Sequence, residues 1–177
     1  MQKAVFLDRD GVINHPIIRQ GRPFAPTSIE EFKIFPGVPE ALQALHQEGF
    51  LLIIATNQPD VARGLILKED VEKMHQILQE TLPLQAVKVC YETEESGSRC
   101  YKPNPGMLIE SAREFNIDLK QSFMVGDRWR DVGCGRAAGC YTIFIDRGYT
   151  EQLRDKPDAV CEGLTEAVPI ILRHAGT

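Results

Sequence analysis

Short apolar runs alternate with amphipathic stretches along nearly the whole chain, and this alternation limits the possible folds more than any other feature. Ala4 to Leu7, Phe50 to Ala55, Ala86 to Tyr91, Ser122 to Val125 and Tyr141 to Ile145 read as buried strands. Between them, Val38 to Glu48, Lys68 to Leu82, Gly106 to Phe115 and roughly Asp131 to Ala138 read as helices. In the first, Val38, Ala41, Leu42 and Leu45 fall at helical spacing, and Gly49 is a natural carboxyl cap. An Ala159-Val160 strand and a helix from Leu164 to His174 finish the pattern, whereas His15 to Pro36, rich in Pro and Gly, reads as a long loop or flap. Strands joined through helices imply right-handed crossovers. The expected fold is therefore α/β, a Rossmann-like three-layer sandwich with a mainly parallel central sheet.

The length of 177 residues and the 43% hydrophobic content suit one domain spanning residues 1–177, with no repeat and no linker-like composition shift. A net charge of -5 disfavours nucleic acid and anionic membrane as partners, because both draw on excess Lys and Arg. No apolar run approaches a membrane span, and Met-Gln-Lys-Ala leads straight into a core strand without a signal-like region. The expectation is a cytoplasmic monomer acting on a small molecule. Five cysteines, odd in number and irregularly spaced, are expected to remain thiols.

In a parallel sheet the binding crevice lies outside the carboxyl ends of the strands. The first strand ends at Asp8-Arg9-Asp10-Gly11, the second at Thr56-Asn57-Gln58, and a later one at Gly126-Asp127-Arg128, while Lys102-Pro103 opens the helix after the third. Asp8 and Asp10, two residues apart, share a face. This set suits phosphoryl transfer through an aspartyl phosphate: Asp8 attacks, and Asp10 first protonates the leaving oxygen and then activates water. Clustered carboxylates around a phosphate call for a hard cation, and Asp8, Asp127 and a backbone carbonyl suit magnesium. Thr56 and the Lys102 ammonium would neutralise the phosphoryl oxygens. Asp131 either supports the metal or caps a helix.

The motifs Asp8-Arg-Asp10-Gly-Val, Thr56-Asn57-Gln58, Lys102-Pro103 and Gly126-Asp127-Arg128-x-x-Asp131 resemble, in this order, those of haloacid dehalogenase (HAD) superfamily phosphatases. More narrowly, the Asp-Arg-Asp-Gly opening, Thr56 to Gly64 and Lys102-Pro-Asn-Pro-Gly-Met107 resemble the D-glycero-D-manno-heptose 1,7-bisphosphate 7-phosphatase and histidinol-phosphatase branch. The resemblance implies a HAD-like fold, with Asp8 as nucleophile, Asp10 as acid/base and as a magnesium ligand through its carbonyl, and Asp127 as a further metal ligand. Thr56 and Lys102 become phosphoryl stabilisers, and Asn57, Gln58 and Arg128 substrate contacts. Core elements use up the intervals where relatives insert caps, so the enzyme is expected to be capless.

Specificity then falls to the loops at 15–24, 58–65 and 91–101. Arg63 is a candidate for a second phosphate, whereas Arg19 reads as a solvated loop arginine. Relatives commonly carry a zinc loop before the Lys-Pro motif; here its positions are Cys90, Glu92, Ser98 and Cys100, a poor tetrahedral set, so zinc is not expected. Tyr101 stands where heptose enzymes typically have arginine, which bears on bisphosphate recognition and makes Tyr101 itself a candidate substrate contact. Histidinol-phosphate phosphatase and polynucleotide 3'-phosphatase are the alternative activities, and a non-enzymatic phosphate-binding protein ranks last. Trp129 reads as a packing anchor, and Cys134 and Cys140 as small core residues.

Overall fold

In the computed structural model, which describes residues 1–176, six strands form one parallel sheet. The strands are β1 (Ala4–Leu7), β4 (Leu51–Asn57), β5 (Ala86–Cys90), β6 (Phe123–Gly126), β7 (Tyr141–Ile145) and β8 (Ala159–Cys161), in the order β5-β4-β1-β6-β7-β8. The chain builds outwards from β1 to β5, then returns to β1's other side and builds out again. This reversal puts the topological switch point beside β1, where α/β sheets open their crevice.

Alternation along the central strands fixes the layers. Val5 and Leu7 of β1, Leu52 and Ile54 of β4, and Phe123 and Val125 of β6 share one apolar cluster with Leu42, Leu45, Met74, Leu78 and Ile171. Those partners come from α1 (Val38–Gln47), α2 (Lys68–Thr81) and α5 (Leu164–Ala175). Ala4, Phe6, Ile53, Ala55 and Met124 point the other way, and pack with Met107, Leu108 and Cys134 of α3 (Gly106–Phe115) and α4 (Trp129–Ala138). Near-continuous apolar strands buried on both faces are what a parallel sheet requires. No helix among the described residues is long and apolar enough to cross a membrane.

Two expectations need correction. The segment expected to be a bare loop carries an antiparallel hairpin, β2 (Ile17–Arg19) and β3 (Arg22–Phe24), with Arg19 opposite Arg22. Gln20 and Gly21 at its turn have φ of 51° and 73°, the paired positive values that match a hairpin's twist. The cysteines are not all thiols: Cys90 and Cys100 form a disulfide, leaving Cys134, Cys140 and Cys161 reduced. Chain folding back from β5 towards Lys102 brings their Cα atoms to 5.6 Å, within the span of such a bridge.

Helix α4 starts at Trp129, ahead of the expected Asp131. Asp131 explains the shift, because its Oδ2 accepts the Arg128 backbone N–H at 3.0 Å and so caps the first turn from within.

Candidate active site

The carboxyl ends of β1, β4 and β6 lie side by side and present Asp8, Thr56 and Asp127 at one edge; Lys102 reaches the same point from the loop before α3. Asp8, Asp127, Asp131 and Lys102 are at most 8% exposed. Lys102 Nζ donates to Asp8 Oδ1 at 2.9 Å and to Asp131 Oδ1 at 2.6 Å. Burial works against the ammonium charge, but Asp131 and Asp8 outweigh it and hold Lys102 protonated above its usual range. The same burial, reinforced by Asp131 and opposed by Lys102, pushes Asp8 up to about 6. Asp127 is driven well above the usual carboxylate range by burial and by the Asp8 and Asp131 charges.

Ligand oxygens of Asp8, Asp127 and Asp131 lie within 4.8 Å of one another, and buried Asp127 Oδ1 has no hydrogen-bond partner. An orphaned oxygen in a knot of mutually repelling carboxylates fits a hard divalent cation. Asp131 already serves Lys102 and the α4 cap, so Asp8 and Asp127 are the better placed ligands. Gly11 makes the closeness possible: at φ +89°, an added Cβ would sit 1.8 Å from Asp127 Oδ2.

Asp10 is held from several directions. Arg9 Nε and Nη2 reach Asp10 Oδ1 at 3.1 and 3.0 Å, Asn14 Nδ2 donates to the same oxygen at 2.9 Å, and Gln58 Nε2 donates to Oδ2 at 2.8 Å. Arg9 is completely buried, and its Nη1 lies 3.1 Å from His75 Nε2. With a guanidinium as donor, that nitrogen must accept, so the imidazole is neutral with its proton on Nδ1.

Burial, then the Arg9 charge, lowers His75 to about 4. The unfolded chain therefore binds an additional proton below pH 6.5, and stability is lost as pH falls from 6.5 towards 4. At pH 5 this amounts to about 2 kcal/mol. Urea unfolding between pH 7 and 5 should show this loss, and His75→Gln should flatten the slope; equal slopes would show that His75 does not titrate as described.

The expected substrate contacts divide. Gln58 faces the site and also donates to Thr56 Oγ1 at 3.0 Å. Asn57 instead anchors Lys102: its Oδ1 accepts the Lys102 N–H at 3.0 Å, and its Nδ2 donates to the Lys102 carbonyl at 3.2 Å. Arg128 makes a two-pronged pair with Glu151, both distances being 2.6 Å, and Arg63 pairs with Asp60 at 3.2 Å. Asn57, Gln58, Arg63 and Arg128 line a cavity of about 370 Å³ over the carboxylates, as does Tyr101. Arg19 is not among its lining residues; it lies over the Phe24 ring.

Several site residues carried no usable sequence signal. Arg9 occupies the spacer between the two aspartates, so a motif reading passes over it. Tyr149, whose hydroxyl donates to Asp127 Oδ2 at 2.7 Å, and Arg147, which donates to the Gly11 carbonyl at 2.9 Å, come from the loop after β7, where no motif lies. Trp129 is buried as expected, and two guanidinium groups lie against its ring, those of Arg130 and Arg154 at 4.5 and 3.4 Å from its centre.

A parallel sheet that gathers a carboxylate pair, a buried lysine and a carboxylate cluster able to hold a cation at its switch point is the arrangement expected of a hydrolase of the HAD class. A family model described as HAD-hydrolase-like matches residues 99–167. D-glycero-D-manno-heptose-1,7-bisphosphate 7-phosphatase of Thermosynechococcus vestitus is 34% identical, over 97% of this chain and 96% of that one. The D-glycero-beta-D-manno-heptose-1,7-bisphosphate 7-phosphatase of Pasteurella multocida is 33% identical, over 97% of each. The crystal structure of D,D-heptose 1,7-bisphosphate phosphatase from B. bronchiseptica, complexed with magnesium and phosphate, matches with a TM-score of 0.81 at 28% identity, covering 98% of this chain and all of that one. The chain thus belongs to the HAD-like phosphatases, in the family of these heptose-bisphosphate phosphatases, and is a phosphoric monoester hydrolase.

Proposed function

We propose that the chain hydrolyses the 7-phosphate of D-glycero-D-manno-heptose 1,7-bisphosphate through an aspartyl phosphate on Asp8, with magnesium as cofactor. The observation that carries this reading is the buried cluster of Asp8, Asp127 and Asp131 with Lys102 between two of its members and Asp127 Oδ1 left without a partner. The names of the full-length relatives supply the substrate.

Asp8, Asp127 and the Asp10 carbonyl would hold magnesium. Bound there, the ion offsets carboxylate and phosphoryl charge that would otherwise repel. A carboxylate oxygen of Asp8 attacks phosphorus, forming a P–O bond as the bond to the sugar oxygen breaks. Asp10 gives its proton to the departing oxygen, then takes one from the water that attacks the phosphoenzyme, releasing phosphate and restoring Asp8. Arg9, Asn14 and Gln58 fix the direction in which the Asp10 carboxyl group points. Lys102 and Thr56 stabilise the equatorial oxygens during transfer. The Cys90–Cys100 bridge engages the two sulfurs left at the family's zinc positions, which supports a zinc-free loop.

The test is phosphate release from heptose 1,7-bisphosphate, histidinol phosphate and a 3'-phosphorylated oligonucleotide, each with magnesium and with a chelator. The reading predicts a preference of about a hundredfold or more for the heptose, lost on chelation and restored by added magnesium. Full activity in chelator, or an even rate on all substrates, would contradict it.

A further inference from the structure

We propose that Arg22, on strand β3 of the hairpin, binds the phosphate of the substrate that is not hydrolysed. This inference rests on the bisphosphate reading of the site. The cations lining the main cavity are Arg22, Arg63, Lys102, Arg128 and Arg130. Lys102 is paired with Asp8 and Asp131, Arg63 with Asp60, Arg128 with Glu151, and Arg130 with Glu94. Among the described residues, Arg22 is the one of these cations without a carboxylate partner.

Its placement adds a second, independent argument. Arg22 lies directly opposite Arg19 across the antiparallel hairpin, an arrangement in which like charges repel. Folding gains nothing from that opposition, whereas an anion held by Arg22 would relieve it. Third, Arg22, Arg128 and Arg130 also line an adjoining chamber of about 310 Å³ in which Glu151 is the only carboxylate. In a chain with net charge -5, this cation-rich space beside the phosphoryl site suits a second anionic group on the same small substrate. Arginine is also the side chain best shaped for phosphate, offering parallel N–H donors. Tyr101 stays in the cavity wall, with the Arg130 guanidinium 5.9 Å from its ring centre, and provides an apolar surface rather than a charge.

The experiment compares kcat/KM for heptose 1,7-bisphosphate with that for the corresponding 7-monophosphate, in the native enzyme, in Arg22→Gln and in Arg19→Gln. The two variants remove the same charge from the same hairpin. A charge-assisted contact predicts that the bisphosphate preference falls about tenfold or more in Arg22→Gln, chiefly through KM, and is unchanged in Arg19→Gln. A native preference that survives Arg22→Gln, or falls equally in both variants, overturns the assignment while leaving the bisphosphate reading intact. A native enzyme with no preference for the bisphosphate overturns both.

Discussion

Replacing Asp8 with asparagine should abolish phosphate release while leaving the fold at least as stable as the native one. The amide has the shape of the carboxylate but cannot form the phosphoryl bond, so kcat/KM should fall by about a thousandfold or more, ~4 kcal/mol of transition-state stabilisation. Stability moves the other way for a local reason. Asp8 is buried, repelled by Asp131 and Asp10, and already pushed up to about 6, so its ionised form is strained at neutral pH. Its neutral replacement removes that repulsion, and Lys102 keeps its 2.6 Å partner Asp131. Thermal melting at pH 7.5 should therefore show an unchanged or higher Tm. Coexistence of lost turnover and retained stability separates a chemical role from a structural one. A rate within about tenfold of native would remove Asp8 from the nucleophile's place.

Lys102→Met should instead lose both activity and stability. The ammonium is 2% exposed and is the counter-charge to Asp8 and Asp131, so its removal leaves buried carboxylates unpaired. Breaking such a pair from one side costs about 3–5 kcal/mol. The loss also has a pH signature. Asp8, held above its unfolded range by burial and by Asp131 and then deprived of the cation that opposes them, binds a proton more readily in the fold than out of it. Its unfavourable contribution is absent at low pH, grows as pH rises from the unfolded value to the raised one, and is complete above it. The Tm deficit of the variant should accordingly be largest near pH 8 and shrink towards pH 5. A deficit independent of pH would indicate lost packing of the lysine stem and not lost charge.

The candidate catalytic elements are legible in the sequence because each one combines a strand end with a specific residue type. Asp8, Thr56 and Asp127 follow apolar runs whose burial and pairing the fold confirms, and a parallel sheet brings their ends to one edge. Long-range pairing was hidden. That Asn57 grips the Lys102 backbone, that Arg128 is engaged by Glu151, and that Cys90 meets Cys100 all depend on how separate loops close, which no local spacing records. The hairpin has no clear sequence signature because Gln20-Gly21 is neither the Asn-Gly nor the Asp-Gly of a two-residue turn. Arg9 looked like a spacer because strand alternation turns it away from the two aspartates; only the packed fold shows it curling back onto Asp10 against α2. Asp131, open between metal support and helix cap on sequence alone, caps α4 and also holds Lys102 within the cluster of buried carboxylates.

The central claim is that Asp8 carries the phosphoryl group. The most direct measurement is acid quenching during turnover of heptose 1,7-bisphosphate with magnesium, followed by mass spectrometry of the peptide containing Asp8. The mechanism predicts a fraction of that peptide heavier by one phosphoryl group, acid-stable, sensitive to hydroxylamine as an acyl phosphate is, and absent from Asp8→Asn. Steady turnover with unmodified Asp8 at every quench time, together with undiminished activity in Asp8→Asn, would contradict it.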